Sequence, residues 1–325
     1  MFFSVIIPLY NRPQEIDELL HTLTQQTYTQ FEVLVIEDGS KQDARDIVAR
    51  YQDRLDVRYY YKENEGQGFT RNFGFRLAKG DYFVIFDSDC LIPAKYLETV
   101  RNYLFEHKLD AYGGPDAAHG SFTPVQKAIS YSMTSPFTTG GIRGSRKNLG
   151  GQFHPRSFNM GISRQVWEKV GGFILTRLGE DIEYSIRIHE AGFKIGLIPA
   201  ARVYHKRRTN FSQFYRQLHF FGRARINIYT FFPSQLKAVH FFPALFTLFI
   251  LLTIVLNLFG SGLARICNML TGVYILLIFF HALAVNKSVK VAFLSIIAAF
   301  VQLIAYGLGF MQDFWKRIIL KKNNE

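Results

Sequence analysis

Phe83-Val84-Ile85-Phe86-Asp87-Ser88-Asp89 is a run of four β-branched or aromatic residues closed by two carboxylates. An unbroken apolar run of this length predicts a strand buried on both faces, and such strands belong to parallel sheets covered by helices. In open α/β sheets ligands sit just beyond the carboxyl ends of the strands, so Asp87 and Asp89 are expected to project into a binding crevice. Carboxylate oxygens are hard ligands suited to Mg²⁺ or Mn²⁺, and a substrate diphosphate can complete the coordination. A solvated Asp-Ser-Asp turn has the same three letters, so the surroundings must separate the two readings.

Toward the amino terminus, Ser4-Val5-Ile6-Ile7-Pro8-Leu9-Tyr10-Asn11 opens with a buried strand that Pro8 is expected to stop. Pro13 then starts a helix with Ile16, Leu19, Leu20 and Leu23 at helical spacing. A second strand, Phe31–Ile36, ends in Glu37-Asp38-Gly39-Ser40. A dinucleotide-binding unit needs Gly-x-Gly-x-x-Gly after the first strand, and Pro8–Pro13 contains no glycine, which argues against a dehydrogenase. Such a sheet can hold a nucleoside diphosphate without glycines, Asp38 accepting from the base or ribose. The third strand, Val57–Tyr61, leads to Asn64-Glu65-Gly66-Gln67-Gly68 and a helix through Arg71, Asn72, Phe75 and Leu77. Glycines ahead of an early arginine suit the close approach of a phosphate or base, and equally a plain turn.

In this order the segments resemble the family 2 glycosyltransferases of the GT-A fold. The resemblance rests on Val5-Ile6-Ile7-Pro8-Leu9-Tyr10-Asn11, Glu37-Asp38-Gly39-Ser40, Asn64-x-Gly66, Arg71-Asn72-x-Gly74 and Asp87-Ser88-Asp89 with Pro93. It continues in Asn159-Met160-Gly161, Gly171-Gly172-Phe173 and Gly179-Glu180-Asp181 with Glu183 and Arg187, and covers residues 3–205. It implies an α/β domain with a Rossmann-like sheet that uses a nucleotide diphospho-sugar. On matching positions, Pro8, Tyr10, Arg71 and Ser88 would line the nucleotide pocket with Asp38 on the base. Asp87 and Asp89 would hold Mg²⁺ or Mn²⁺ on the diphosphate, Asp181 would be the general base, and Asn159 and Glu180 would lie on the acceptor side. A histidine near His205 can complete the metal or diphosphate site in related enzymes, although a lone histidine ending a strand is often merely packed. Glu37 stands where many members carry aspartate, so its own role stays open.

These residue types suit the chemistry. A hydroxyl is a poor nucleophile at neutral pH, and a carboxylate within hydrogen-bond reach can take its proton as the bond to C1 forms. The diphosphate leaving group gathers charge that a divalent ion neutralises, and attack from the opposite face inverts the anomeric carbon. Acidic residues in a first helical turn also complement the helix dipole, so for Glu180-Asp181 the family resemblance carries the assignment.

Beyond residue 200 the composition shifts. Arg202 to Lys237 holds eight Lys or Arg and no Asp or Glu, and three charge-free runs follow: Phe241–Ala264, Ile266–Asn286 and Val291–Gln312. Each is long enough for roughly 30 Å of hydrocarbon. The net charge of +12 is concentrated ahead of an apolar run, a juxtamembrane pattern rather than a nucleic-acid one. Arg216, Arg223 and Arg225 alternate with Phe214, Phe220, Phe221, Ile226 and Tyr229, as in an amphipathic interfacial helix. The two cysteines, Cys90 and Cys267, give no disulfide framework and fit a reducing compartment. No basic segment followed by a long apolar one opens the chain, so a cleavable signal peptide is not expected.

The expected organisation is a GT-A domain over residues 1–209, a basic amphipathic region over 210–238 and a membrane region of two or three hydrophobic helices over 239–325. Gly113–Gly151, with Arg143, Arg146 and Lys147, is read as a mobile or linking segment without regular structure. Charge bias places the catalytic domain on the cytoplasmic side of a bacterial inner membrane. Lys287 and Lys290 also read as inside, and a third full crossing would put Lys316, Arg317, Lys321 and Lys322 outside. The last segment is therefore expected to be re-entrant or interfacial, interrupted at Tyr306-Gly307-Leu308-Gly309. Gln213-Phe214-Tyr215-Arg216 lacks the following tryptophan of processive synthases, which favours transfer of single sugars. The expected activity is inverting transfer from a nucleotide diphospho-sugar, UDP-linked, to a hydroxyl of a lipid-linked or membrane-proximal glycan in cell-surface polysaccharide assembly. Transfer to polyprenyl phosphate and metal-dependent sugar nucleotidyl transfer are the alternatives.

Overall fold

The computed structural model describes residues 1–117, 122–139, 152–205 and 209–321. Arg143, Arg146 and Lys147, the basic residues Lys206, Arg207 and Arg208, and Lys322 lie outside the described residues. The chain divides into two compact units, Met1–His119 with Gln152–Lys206, and Gly120–Gly151 with Arg207–Glu325.

The elements in chain order begin with β1 (Phe3–Leu9), α1 (Pro13–Leu23), β2 (Phe31–Asp38), α2 (Arg45–Ala49), β3 (Val57–Lys62), α3 (Gln67–Leu77) and β4 (Tyr82–Phe86). Next come β5 (Cys90–Leu91), α4 (Tyr96–His107), β6 (Ala111–Gly113), β7 (Asp116–Ala117), α5 (Pro124–Thr134) and α6 (Pro136–Thr139). Then follow β8 (Asn159–Ser163), α7 (Arg164–Val170), α8 (Glu180–Glu190), β9 (Ile195–Leu197), β10 (Val203–His205) and α9 (Phe211–Phe231). The long helices α10 (Phe242–Leu258), α11 (Leu263–Asn286) and α12 (Val289–Asp313) follow, and α12 runs on into a π-helical turn, Phe314–Ile319.

Among the described residues of the first unit seven strands form one sheet in the order β3-β2-β1-β4-β8-β6-β9, and β5-β10-β7 form a small second sheet. The strands β3, β2, β1 and β4 are mutually parallel, while β8 is antiparallel to both β4 and β6. The central strands β1, β2 and β4 are mostly apolar and buried because helices cover both faces. Val5, Ile7 and Leu9 pack with Ile16, Leu19 and Leu20 of α1 and with Leu97 and Val100 of α4. On the other face Ile6, Leu34, Ile36, Phe83 and Ile85 pack with Phe75 of α3 and with Tyr184 and Ile188 of α8. Pro8 does not stop β1, contrary to the sequence reading. Pairing with β4 ends at Ile6, whereas pairing with β2 continues to Leu9, so the missing N–H falls where β1 has only one neighbour.

Among the described residues of the second unit three helical stretches, Ala238–Leu258, Leu263–Asn286 and Val289–Ile319, are long and apolar enough to cross a membrane. The expectation of irregular structure across Gly113–Gly151 fails over residues 124–139. Thr123 and Gln126 form a capping box, Pro124 occupies the first turn, and Ala128, Ile129 and Met133 of α5 pack with Phe214 and Leu218 of α9 and with Ala298 and Ala305 of α12. The expected interruption at Gly307 and Gly309 is also absent, since α12 is unbroken there. These glycines instead let helices touch. A Cβ on Gly307 would lie 2.4 Å from the Pro243 carbonyl oxygen of α10, and one on Gly309 would lie 2.1 Å from that of His219 of α9. The helix α9 is further tied to α12 by Asp313, 1% exposed, which pairs with Arg223 at 2.9 Å and Arg317 at 3.1 Å.

Candidate active site

The order β3-β2-β1-β4 means that the chain departs in one direction from β1 to β2 and β3, then returns to add β4 on the opposite side of β1. At such a switch point the loops after the two adjacent strands diverge and leave a crevice. Tyr10, Asn11 and Arg12 follow β1, and Asp87, Ser88 and Asp89 follow β4. Arg12 spans the crevice, its Nη1 2.6 Å from Asp89 Oδ2. The loop after β1 is fixed to the loop after β2 by Asn11, whose N–H donates to Ser40 Oγ (2.7 Å) and whose Oδ1 accepts from the N–H of Lys41 (2.9 Å).

The second Asp89 oxygen meets His205. Strand β5 starts directly after Asp89 and pairs antiparallel with β10, which sets His205 opposite Cys90 and puts its Nε2 3.1 Å from Asp89 Oδ1. The imidazole stacks on Phe158 with ring centroids 4.7 Å apart, and its buried Nδ1 has no hydrogen-bond partner among the described residues. Ligand atoms of Asp89, Cys90 and His205 lie within 4.8 Å of one another. Burial pushes the Cys90 thiol well up, and its Sγ donates to the Phe158 carbonyl oxygen at 3.6 Å, which leaves a carboxylate and an imidazole as the donors. A hard oxygen and one imidazole nitrogen fit Mn²⁺ or Mg²⁺ and lack the thiolate set of a structural zinc site.

Asp87 is held from behind. Arg71, on α3 and fully buried, places Nη2 2.8 Å from Asp87 Oδ1 and Nη1 3.4 Å from Glu180 Oε1, with its guanidinium 5.5 Å from the centre of the Phe173 ring. One cation therefore joins the carboxylates after β4 to the acidic start of α8. Gln67 also donates to Glu180. The glycines at the start of α3 serve this packing: a Cβ on Gly66 would lie 2.2 Å from Thr176 Oγ1 and one on Gly68 2.2 Å from the Leu175 carbonyl oxygen, so the loop leading to α8 could not approach. They make room for protein, which favours the plain-turn reading over a phosphate cradle.

Glu180 is 4% exposed, and burial, with added repulsion from Asp181, pushes its carboxyl up to about 7 despite the neighbouring Arg71. Asp181 stands beside Arg156, with Oδ2 3.6 Å from Nη1. Glu180 is thus driven toward its protonated form. The sign follows for stability: from about pH 4.5 to about 7 the folded chain retains a proton that the unfolded chain has lost, so stability falls as pH rises through that window. The displacement corresponds to on the order of 3 kcal/mol. Melting temperatures in detergent, followed by intrinsic fluorescence between pH 4.5 and 8, should show this decline in the parent and a flatter profile in Glu180→Gln. Equal slopes would refute it.

The nucleotide-pocket candidates sit at the same strand ends. Tyr10 is half exposed, Pro8 half-buried and Ser88 buried. Tyr61, at the end of β3 opposite Glu37, is a second half-exposed ring that the sequence reading did not single out. Asp38 accepts from Lys62 Nζ (2.9 Å) and from the N–H groups of Glu65 (3.0 Å) and Gly66 (2.9 Å); although burial opposes it, these donors lower its pKa. Glu37 is fully buried and fastens the turn after β2 by accepting from Ser40 Oγ, the Ala44 N–H (3.1 Å) and Tyr59 OH (3.3 Å). Asn159 is fully buried, accepting from Tyr96 OH at 2.5 Å and donating to the Ala201 carbonyl oxygen at 2.7 Å. Its side chain is a tie within the fold. Glu183 and Arg187 pair with each other, and Arg187 donates to the carbonyls of Val170 (2.8 Å) and Gly172 (2.6 Å), securing the loop before α8.

Three comparisons bear on this geometry. The sequence pattern of the family described as glycosyl transferase family 2 matches residues 4–171. An uncharacterized glycosyltransferase of Rickettsia felis is 37% identical over 176 residues, 50% of this chain and 29% of that protein. The chain thus spans less than a third of that relative's length. Among solved structures, the mannosyltransferase PcManGT of Pyrobaculum calidifontis in complex with GDP-Man and Mn²⁺ aligns with a TM-score of 0.66 at 19% identity, covering 96% of this chain and 87% of that one. Residues 1–349 of Staphylococcus aureus TarS in complex with UDP-GlcNAc align with a TM-score of 0.52 at 18% identity, covering 100% and 93%. At these identities the structural likeness is one of fold, the GT-A type.

Proposed function

Since the chain belongs to glycosyl transferase family 2, we propose that it is a membrane-attached inverting transferase that moves a sugar from a nucleotide diphospho-sugar to a hydroxyl of a lipid-linked or membrane-proximal glycan. One observation carries the reading: Arg71 touches both Asp87 and Glu180, so the carboxylates after β4 and the Glu-Asp pair of α8 belong to one constellation. Donor and acceptor chemistry need that proximity.

In this reading the donor's base lies over the carboxyl ends of β1 to β3, against Tyr10 and Tyr61 and near Asp38. Its diphosphate occupies the crevice between Arg12 and Asp87-Ser88-Asp89. Asp89 and His205, with Asp87, would hold a divalent ion that neutralises the charge gathering on the departing diphosphate. Asp181 accepts the acceptor's hydroxyl proton at a carboxylate oxygen, while Arg156 orients that carboxylate. Glu180, driven toward its neutral form, places less negative charge beside Asp181. UDP-linked donors are the first choice. The apolar helices α10 to α12 support membrane attachment, and the basic stretch before them supports a cytoplasm-facing catalytic unit at a bacterial inner membrane.

Arg156 favours a second reading. A guanidinium 3.6 Å from the Asp181 carboxylate suits an acceptor that brings its own negative charge, such as a polyprenyl phosphate. Purified protein in detergent, incubated with Mn²⁺ and UDP-, GDP- or dTDP-sugars, should release nucleoside diphosphate with one donor class. Adding polyprenyl phosphate or a lipid-linked saccharide identifies the acceptor by which addition stimulates release. Release of pyrophosphate from a nucleoside triphosphate and a sugar phosphate, with no diphosphate from any sugar nucleotide, would replace both readings with nucleotidyl transfer.

A further inference from the structure

Two guanidinium groups serve the two carboxylates after β4, and they are not alike. Arg71 is fully enclosed and holds Asp87 through Nη2, with Glu180 on its other nitrogen. Arg12 holds Asp89 but keeps a third of its side chain in solvent (33% exposed), while Asp89 is 9% exposed. Arg12 caps no helix with its side chain, and the backbone immediately after it is fixed by Pro13. The partner able to leave this ion pair is Arg12.

We propose that Arg12 is an exchangeable counter-ion at the donor site: it neutralises Asp89 before a donor binds and transfers to the diphosphate when a divalent ion and a nucleotide enter together. The proposal rests on the donor-site reading given above. Asp89 Oδ1 already faces His205 and Oδ2 faces Arg12, so an ion seeking this carboxylate must compete with a charge-assisted pair at 2.6 Å. A lone divalent ion would bring two positive charges to carboxylates that Arg71 and Arg12 already neutralise. A nucleotide sugar carries one negative charge on each phosphate, which cancels the ion and offers the guanidinium fork a planar pair of oxygens in exchange for Asp89. The placement fits, because Arg12 follows β1 on one side of the switch-point crevice and Asp89 follows β4 on the other. Metal and nucleotide would thereby bind cooperatively, without any residue changing its fold.

The test exploits effects of opposite sign in one substitution. Mn²⁺ binding to the full-length protein in detergent is measured by loss of the free-ion electron paramagnetic resonance signal, with no nucleotide and with saturating UDP or GDP. Arg12→Met is expected to bind Mn²⁺ alone about 10-fold more tightly than the parent, and to bind the nucleoside diphosphate at saturating Mn²⁺ about 10-fold more weakly. Arg12→Lys, which keeps the charge without the fork, should resemble the parent for Mn²⁺ alone and lie between parent and Arg12→Met for the nucleotide. A merely structural ion pair would weaken both or change neither, and either result overturns the proposal while leaving the donor-site reading intact. Failure of the parent to bind Mn²⁺ with either nucleotide would remove the donor-site reading and this proposal together.

Discussion

Asp181→Asn is expected to lower kcat for transfer to a hydroxyl acceptor by about 10²- to 10⁴-fold, the usual weight of a positioned general base. The affinity for nucleoside diphosphate with Mn²⁺ should stay within about twofold, because Asp181 reaches that end of the site only through Glu180 and Arg71. The amide keeps the shape and leaves Arg156 without its counter-charge, so the variant removes the proton acceptor and little else. The same substitution separates the two acceptor readings. A phosphate acceptor at neutral pH has no proton to lose, and a rate loss under about 10-fold with a polyprenyl phosphate would assign Asp181 to orienting the acceptor. Steady-state rates with each acceptor, set beside diphosphate affinity, distinguish these outcomes. An unchanged kcat with a hydroxyl acceptor would end the base assignment.

The parts of this site that could be read in the chain are those encoded locally. Phe83–Phe86 and the carboxylates that follow announce a buried strand and its active end within seven letters, and the β1–α1–β2 pattern fixes the sheet around it. The charge-free runs likewise mark α10 to α12 because composition alone sets whether a helix suits hydrocarbon. The missing parts are pairings across the fold. Arg12 and Asp89 are separated by 77 positions, and Gln67 and Glu180 by 113, so no spacing rule brings them together. His205 reaches Asp89 only because the two-residue strand β5 pairs with β10, elements too short to carry a period-two signal. The α5 helix was legible in principle: Thr123-Pro124-x-Gln126 is a capping box with proline in the first turn, ahead of Val125, Ala128, Ile129 and Met133 at helical spacing. The glycine, serine and threonine content around it hid that signal. Gly307 and Gly309 misled for another reason. A glycine pair looks like a helix break from sequence alone, whereas between packed apolar helices it permits backbone contact.

The buried arginine that couples the two acidic ends should also dominate stability. Arg71→Met preserves much of the side-chain volume against Phe173 but strands Glu180, 4% exposed, and removes the cation facing Asp87. Breaking a buried ion pair from one side costs about 3–5 kcal/mol, since the remaining charge stays desolvated. For a protein of this size that corresponds to a fall in melting temperature on the order of 10 °C. Glu180, already displaced toward protonation, takes up a proton when Arg71 no longer opposes this, so the loss should be smaller at pH 5 than at pH 8. Adding Glu180→Gln to Arg71→Met should therefore recover part of the stability at pH 8 and almost none at pH 5. Transfer should stay lost throughout, because Asp87 is no longer aimed at the crevice. Melting curves of the parent, both single variants and the double variant at the two pH values form the cycle that measures this coupling. If Arg71→Met melts within about 2 °C of the parent at pH 8, the guanidinium does not bind the donor and acceptor sides into one unit.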